Sequence, residues 1–391
     1  MMTKTKTIGR CILLATILMT SVISYAQTLV GGLYYTFDAL KKEATVVQKP
    51  FDANLDWDDN YYKGNIVIPA TVKLGNVTYT VTKIGYWSFE KSNILSLKIP
   101  ATVKEIPQQL FGGCRHLETV VVDKNNKLFD SRDNCNAVIY TETNELVAGC
   151  KNTKIPSSVT RIANTAFYDV DVSSVVIPNT VTSIGESAFM NCIGLGDFVI
   201  PSSVNQIQQG AFISSYGLTS VVIPEGITKI AESAFNFCEE LRTVIFPNTL
   251  EEIGGASFGN CYSLSEVVIP ASVTSIGDGA FRGSNNLTSV TFLSATPPEM
   301  GAGIFGGTFF LDQVAPDLKL VVHVPKGSKD AYENVAELQN HIIIDDMPAP
   351  TGISVIDGET APAIIYSIDG KRVNSPKKGG LYIINGKKTI Y

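Results

Sequence analysis

From residue 156 onward, apolar positions recur on a fixed step. Ile162, Ile184, Ile207, Ile230, Ile253 and Ile276 lie 22 or 23 residues apart, and Phe167, Phe189, Phe212, Phe235, Phe258 and Phe281 each follow five residues later. Pro156, Pro178, Pro201, Pro224, Pro247 and Pro270 punctuate the same step. One period reads Ile-Pro-x-x-Val-x-x-Ile-Gly-x-x-Ala-Phe-x-x-Cys-x-x-Leu-x-x-Val-x. Within it Val221 and Ile223 keep the two-residue alternation of a half-buried strand, which leaves Thr219, Ser220 and Val222 facing solvent. Pro224 ends that strand because it has no N–H for a ladder. The Ala211-Phe212 pair with its flanks predicts a single helical turn that carries the ring into the core. A period of this length marks a solenoid, in which each unit buries its apolar face only by stacking on its neighbours. The predicted fold is therefore a repeat solenoid of about nine units of ~23 residues, with short strands stacked into a parallel sheet and short helical or irregular turns between them.

The period also divides the chain. Residues 27–68 read as a β-rich N-terminal cap, with strands over 33–37 and 64–68. The solenoid is expected over 69–310, its first unit stretched by a turn at 73–76. Pro100 and Pro156 stand 56 residues apart, which is 33 more than one period, so 120–154 is an insertion. It holds strand-like runs at 137–140 and 146–148 joined by a turn at 141–144. Insertions of this kind tend to lie on one face and often carry binding, so this segment is the first place to expect function. A strand over 319–325 and a short helix within 328–338 suggest a C-terminal cap over 311–346. Residues 347–350 read as a linker. The remaining tail to 391 reads as a small β segment, with strands at 363–367 and 381–384 and a hairpin at Asn385-Gly386.

The outward strand positions form two columns, and these are the candidate binding surface. One runs Val121, Val176, Val199, Val222, Ile245, Val268 and Thr291; its neighbour runs Thr119, Ser174, Asp197, Ser220, Thr243, Glu266 and Ser289. Two readings of the aliphatic column are open. Exposed apolar patches mark interaction sites, and β-branched residues favour strands wherever they stand.

Candidate chemistry is sparse. Cys114, Cys192, Cys238 and Cys261 each fall three residues after a repeat phenylalanine, where other repeats place Ser215 and Ser284. That is a small packing slot, and no histidine or carboxylate shares its period, so it is not a metal ladder. Cys135 and Cys150 lie outside the slot, and a disulfide between them is an open alternative in an exported protein. The three histidines are His116, His323 and His341. His116 near Cys114 does not make a nucleophile pair if Cys114 is a core residue. Gly301, Gly303 and Gly306 match a dinucleotide fingerprint by letter only, with no strand–turn–helix context around them. Asp56, Asp58 and Asn60 are spaced like the first ligands of a calcium loop. Tyr61 stands where that loop needs glycine, and Val67 where it needs glutamate. No catalytic residue, cofactor site or metal site is expected.

Charge narrows the partners. Residues 1–26 read as a signal peptide: Lys4, Lys6 and Arg10, an apolar run over 11–23, then Ser24-Tyr25-Ala26 before Gln27. An uncleaved N-terminal anchor is the alternative, although the run is short for a membrane span. Removing these residues takes the formal charge from −6 to −9, and the tail from 351 carries +3, which leaves a body near −12. An acidic body excludes phosphate-backbone binding, so nucleic acid is not a partner. An integral membrane protein is not expected either.

The stretch from Pro178 to Leu195 carries Ile-Pro-x-x-Val-Thr-x-Ile-Gly-x-x-Ala-Phe-x-x-Cys-x-x-Leu nearly intact, and it resembles the BspA-type leucine-rich repeat. The resemblance spans about residues 30–345, including the run 130–137. It implies a curved right-handed leucine-rich-repeat solenoid, secreted or displayed on a bacterial cell surface, with adhesion to host proteins or other cells as the associated role and no catalytic residues to carry over. The tail at 365–373 and 380–383 is similar to C-terminal sorting or anchoring segments of exported Bacteroidetes proteins, with a purely structural hairpin as the alternative. The expected function is non-enzymatic protein–protein binding or adhesion. The alternative is a glycan-capture accessory, or a secreted enzyme with its chemistry in the caps.

Overall fold

Two isoleucines in each period seed two strands, and like strands of successive repeats stack in parallel. The computed structural model describes residues 27–306 except Ser174, then 319–347, and the three strands Ile365–Ser367, Leu381–Ile384 and Lys387–Ile390. The expected signal peptide and the 348–350 part of the linker lie outside the described residues. The first ladder comes from the Ile-Pro strands. Gly196–Val199, Leu218–Val222 and Thr243–Ile245 pair in one sheet. Glu266–Ile269, Ser289–Phe292, Val321–Pro325 and Ile342–Met347 pair in a second. The second ladder comes from the Ile-Gly positions and uses strands of only two residues. Arg161–Ile162, Ser183–Ile184 and Gln206–Ile207 pair in one run, and Lys229–Ile230, Glu252–Ile253, Ser275–Ile276 and Glu299–Met300 in another.

Between the ladders runs a stack of phenylalanines. The rings of Phe167, Phe189, Phe212, Phe235 and Phe258 follow one another at 5.1–5.2 Å with interplanar angles of 2–6°. This spacing is close to the ~4.8 Å between paired strands, as a ring on every rung requires. The backbone keeps step: the Phe189 N–H donates to the Ala211 carbonyl at 2.7 Å and the Phe212 N–H to the Ala234 carbonyl at 2.8 Å. The single helical turn expected here does not form. Residues two before and two after each phenylalanine have left-handed φ, such as Ser187 at 52° and Asn191 at 58° around Phe189. Left-handed residues reverse the chain after each half-turn, so a helix cannot propagate.

The caps differ from expectation in what they join. Thr28–Val30, Leu33–Asp38 and Glu43–Val47 form antiparallel hairpins at the open end. The Lys63–Val67 strand, read as part of the cap, instead pairs in parallel with Asn93–Ile99, which pairs with Thr119–Val122. The first ladder therefore starts inside the expected cap. At the other end Val321–Pro325 and Ile342–Met347 continue that ladder, with the helix α1 (Lys329–Glu333) and a 3-10 turn at Ala336–Leu338 between them. The tail strands form an antiparallel three-stranded sheet.

The insertion is where the structure departs furthest from expectation. Its hairpin, Ala137–Tyr140 against Glu145–Gly149, forms as the pattern predicts, but its strands are largely buried and only the turn at 141–143 is exposed. Ala137, Ile139 and Leu146 belong to the core that runs toward the C-terminus, while Val138, Ala148 and Cys150 belong to the N-terminal core. The hairpin is a wall between two cores. Glu145–Gly149 also pairs in parallel with Arg161–Ile162, so it starts the Ile-Gly ladder of the following repeats.

Candidate binding face

Strand register places the outward residues in line. Asn65, Ser96 and Thr119 are successive partners, as are Val67, Lys98 and Val121. Further along, Asp197, Ser220 and Thr243 line up, and beside them Val199, Val222 and Ile245. Glu266 pairs with Ser289 and Val268 with Thr291. Where a proline follows, as at Pro69, Pro100, Pro201, Pro224, Pro247 and Pro270, it limits how far the strand runs and so helps fix where the outward pair stands.

Exposure separates the candidates. Val176 is 75% exposed, Val199 64%, Val67 62% and Val121 41%. Thr119, Asp197 and Glu266 are exposed, while Ser220, Val222, Thr243 and Val268 are half-buried. Ile245 is a correction: it holds the outward register of Val222 yet is only 7% exposed, and Thr291 is 8%. Ile245 stands at the seam where one sheet ends at Thr243–Ile245 and the next begins at Glu266–Ile269, so it packs into a junction instead of an open face. Ser174 lies outside the described residues. The apolar face is thus concentrated in the N-terminal and central rungs.

The polar column is tied together across rungs. The Asp197 carboxylate accepts from Thr219 Oγ1 at 2.8 Å and from Ser220 Oγ at 2.7 Å, and Ser96 Oγ donates to Asn65 Oδ1 at 2.7 Å. These bonds hold short side chains in fixed rows beside the valines. Asn65, Val67, Ser96 and Lys98 were missed in the sequence columns. Their signal was present in Ile68-Pro69 and Ile99-Pro100, which repeat the strand-ending pair.

The Cys/Ser slot has a structural explanation. Each side chain in it donates to the carbonyl of the phenylalanine one repeat back: Cys192 Sγ to Phe167 O at 3.0 Å, Ser215 Oγ to Phe189 O at 2.8 Å, Cys238 Sγ to Phe212 O at 3.2 Å and Ser284 Oγ to Phe258 O at 2.9 Å. Thiol and hydroxyl are interchangeable because both are small donors. Burial pushes the Cys114 and Cys238 thiols up to about 12, and it raises Cys192 and Cys261 as well. Cys238→Ser is expected to stay within about 0.5 kcal/mol of the parent, whereas Cys238→Ala removes one of the two donors to the Phe212 carbonyl, the Ser215 N–H at 3.1 Å being the other, and should cost about 1–1.5 kcal/mol. Urea denaturation of both variants checks this, and equal stability for Ser and Ala would refute the donor role.

Cys135 and Cys150 are free thiols, both buried. Burial pushes each up to about 11. Cys114 Sγ donates to Phe89 O, while the neighbouring His116 is exposed, so the two do not form a nucleophile pair. Asn60 is buried and its Oδ1 accepts from the Asp52 N–H, within a 3-10 turn at Trp57–Asn60. The Gly303 N–H donates to Glu337 Oε2 at 3.0 Å, a carboxylate where a phosphate site would need open amides. Among the described residues no three or more His, Cys, Asp or Glu side chains gather as a metal site, and no helix is long and apolar enough to cross a membrane.

Stacked parallel ladders, a phenylalanine spine and a strand face with aligned outward rows define a leucine-rich-repeat scaffold. The chain belongs to the BspA type leucine rich repeat family, which it matches in six copies over residues 70–139, 138–264 and 214–317. Among solved structures, a leucine-rich repeat protein from Bacteroides ovatus ATCC 8483 is 21% identical, with 82% of this chain and 77% of that one covered and a TM-score of 0.46. One from Eubacterium ventriosum ATCC 27560 is 21% identical over 56% of this chain and 64% of that one, with a TM-score of 0.45. A leucine rich cell surface protein from Faecalibacterium prausnitzii A2-165 is 24% identical over 68% and 89%, with a TM-score of 0.33. No curated protein matches the chain.

Proposed function

We propose that this protein is an exported, cell-surface binding scaffold without enzymatic chemistry, and that it engages a protein partner with the outward face of its N-terminal and central rungs. The observation that carries this reading is the set Val67, Val121, Val176 and Val199, each between 41% and 75% exposed, with hydrogen-bonded polar side chains beside Val67 (Asn65 with Ser96) and beside Val199 (Asp197 with Ser220). Burying one such valine against a partner contributes about 1.5 kcal/mol, so several together support a specific contact. The rigid rows of Asn65, Ser96, Asp197 and Ser220 supply directional bonds around that strip. Export rests on the signal-peptide pattern of residues 1–26, and the tail from 351 serves as a sorting or anchoring segment.

The test is a pull-down with the chain from Gln27 onward against host matrix proteins, mucin and bacterial-surface extracts, followed by the Val176→Glu/Val199→Glu double variant. The captured protein should bind the variant at least tenfold more weakly while the melting temperature is unchanged, since both side chains already face water. Equal capture by parent and variant would remove the strand face from the proposal. Surface labelling of intact cells that produce the full chain should detect it, and labelling only after lysis would overturn the export reading.

A further inference from the structure

In the regular repeats the chain leaves its Ile-Gly strand through a pair of residues that precede the Ala-Phe of the core. Asn164-Thr165, Glu186-Ser187, Gln209-Gly210 and Glu232-Ser233 are such pairs. The second residue of each has left-handed φ, between 52° and 59°, where small side chains are tolerated best. The first repeat breaks this pattern. It places Tyr86 and Trp87 in the two slots, between Gly85 and Ser88-Phe89. Trp87 takes the same left-handed φ, 56°, although a bulky residue there is an outlier. Both rings face water: Tyr86 is 70% exposed and Trp87 54%, with centroids 6.3 Å apart and planes tilted by 56°.

Packing does not require these rings. Ser88 and Phe89 are buried beneath them. The turn is pinned without help from either ring: the Gly85 N–H donates to Val46 O at 2.8 Å, Ser88 Oγ donates to the same carbonyl at 2.9 Å, and the Glu90 N–H donates to Trp87 O at 3.1 Å. The other repeats make the same turn with no aromatic residue in either slot. Backbone strain that the fold does not need points to function. Rings already held outward also lose little freedom when a ligand arrives.

The neighbouring side chains indicate the ligand. The Lys83–Glu105 bridge and the Phe89–Phe111 spacing share a step of 22 residues, which puts Gln108 and Gln109 in the same two slots one rung on. Asn164 and Thr165 follow on the next rung, where the Gln109 N–H donates to Thr165 Oγ1 at 3.1 Å. The aromatic pair is thus bordered along the solenoid by side-chain amides and a hydroxyl. Charge around it is balanced, since Lys83 is paired with Glu105 at 2.8 Å and Glu90 adjoins Lys91.

We propose that Tyr86 and Trp87 form an open platform that binds a neutral saccharide. A pyranose has one face of C–H groups and an edge of hydroxyls. The C–H face lies on an aromatic ring, and the hydroxyls, each able to give and take a bond, meet the amides of Gln108 and Gln109. The sugar rests on the rings, so the site needs no cavity. A protein partner fits less well. Hot-spot aromatics are enclosed by further contacts that exclude water, whereas the same slots on the next two rungs hold only polar side chains. The platform belongs to the turns after the Ile-Gly strands and not to the outward face of the Ile-Pro strands, so its failure would leave the protein-binding reading untouched.

The experiment is an array of neutral glycans (containing glucose, galactose, mannose and N-acetylhexosamines) and acidic glycans (sialylated and sulfated), probed with the labelled chain from Gln27 onward. Calorimetric titration of a retained neutral glycan follows. At least one should bind with a dissociation constant in the millimolar range or tighter. The Tyr86→Asn/Trp87→Ser double variant copies residues that other repeats hold in these slots, at Asn164 and Ser187, so it should keep the parent's melting temperature. It should bind at least tenfold more weakly, and Gln108→Ala/Gln109→Ala should weaken binding by a smaller factor. Val176→Glu/Val199→Glu should bind the glycan as the parent does. Retention of no neutral glycan, retention of acidic glycans alone, or undiminished binding by the Tyr86→Asn/Trp87→Ser variant would each overturn the proposal. So would loss of protein capture by that variant with no glycan bound by the parent, which would make the rings part of a protein contact.

Discussion

Phe235→Ala is expected to destabilise the protein by about 3–5 kcal/mol, measured by urea denaturation. Its ring is fully buried and stacks on Phe212 at 5.1 Å and Phe258 at 5.2 Å, so the truncation opens a cavity and removes two ring contacts at once. Neighbouring repeats cannot collapse into the void, because their strands and turns are held in register by ladders on either side. Phe305→Ala supplies the comparison. Phe305 is 7% exposed and packs on Phe281 at a wider 5.9 Å, near the end of the stack. In a one-dimensional array an end unit has one neighbour fewer, so its loss should be the smaller. Equal losses at the two positions would mean that the rings do not act as a continuous stack.

Ile139→Asp is expected to prevent the chain from folding, as is deletion of residues 137–148. Ile139 is fully buried in one core while Val138, next to it, is fully buried in the other. A carboxylate at either position loses its hydration with no cation to pair it, a cost of several kcal/mol that exceeds the effect of most substitutions. Deleting the hairpin would expose the facing surfaces of both cores and remove the strand on which Arg161–Ile162 is laid. Circular dichroism and size-exclusion chromatography of the two variants decide the matter. A deleted chain that remained monomeric and helix-poor with the parent's melting temperature would show the hairpin to be peripheral.

The hairpin also marks how far the sequence could be read. Its strands and turn were legible, but its burial was not inferred, although the run Ala137-Val138-Ile139-Tyr140 has no polar alternation and such runs belong to strands covered on both faces. A break in the period was taken for an elaboration of the surface, when it is the partition between two packed bodies. The first ladder was legible in part. Val176 and Val199 stand outward as the alternation requires, whereas Ile245 obeys the same alternation and is buried. Alternation states which side of a strand a residue takes; it does not state what lies against that side. The helical turn at Ala-Phe was misjudged because left-handed backbone at residues such as Thr165, Ser233 and Ala256 carries no side-chain signature outside glycine and asparagine.

By itself the sequence determined the repeat, its phase, the phenylalanine spine, the Cys/Ser slot and the family. These are set within one period and its neighbours, and a one-dimensional array copies each local choice along its length. Only the tertiary structure decided which outward residues remain open and that the strands of the insertion form a wall between two cores. Those depend on how two surfaces meet at a junction.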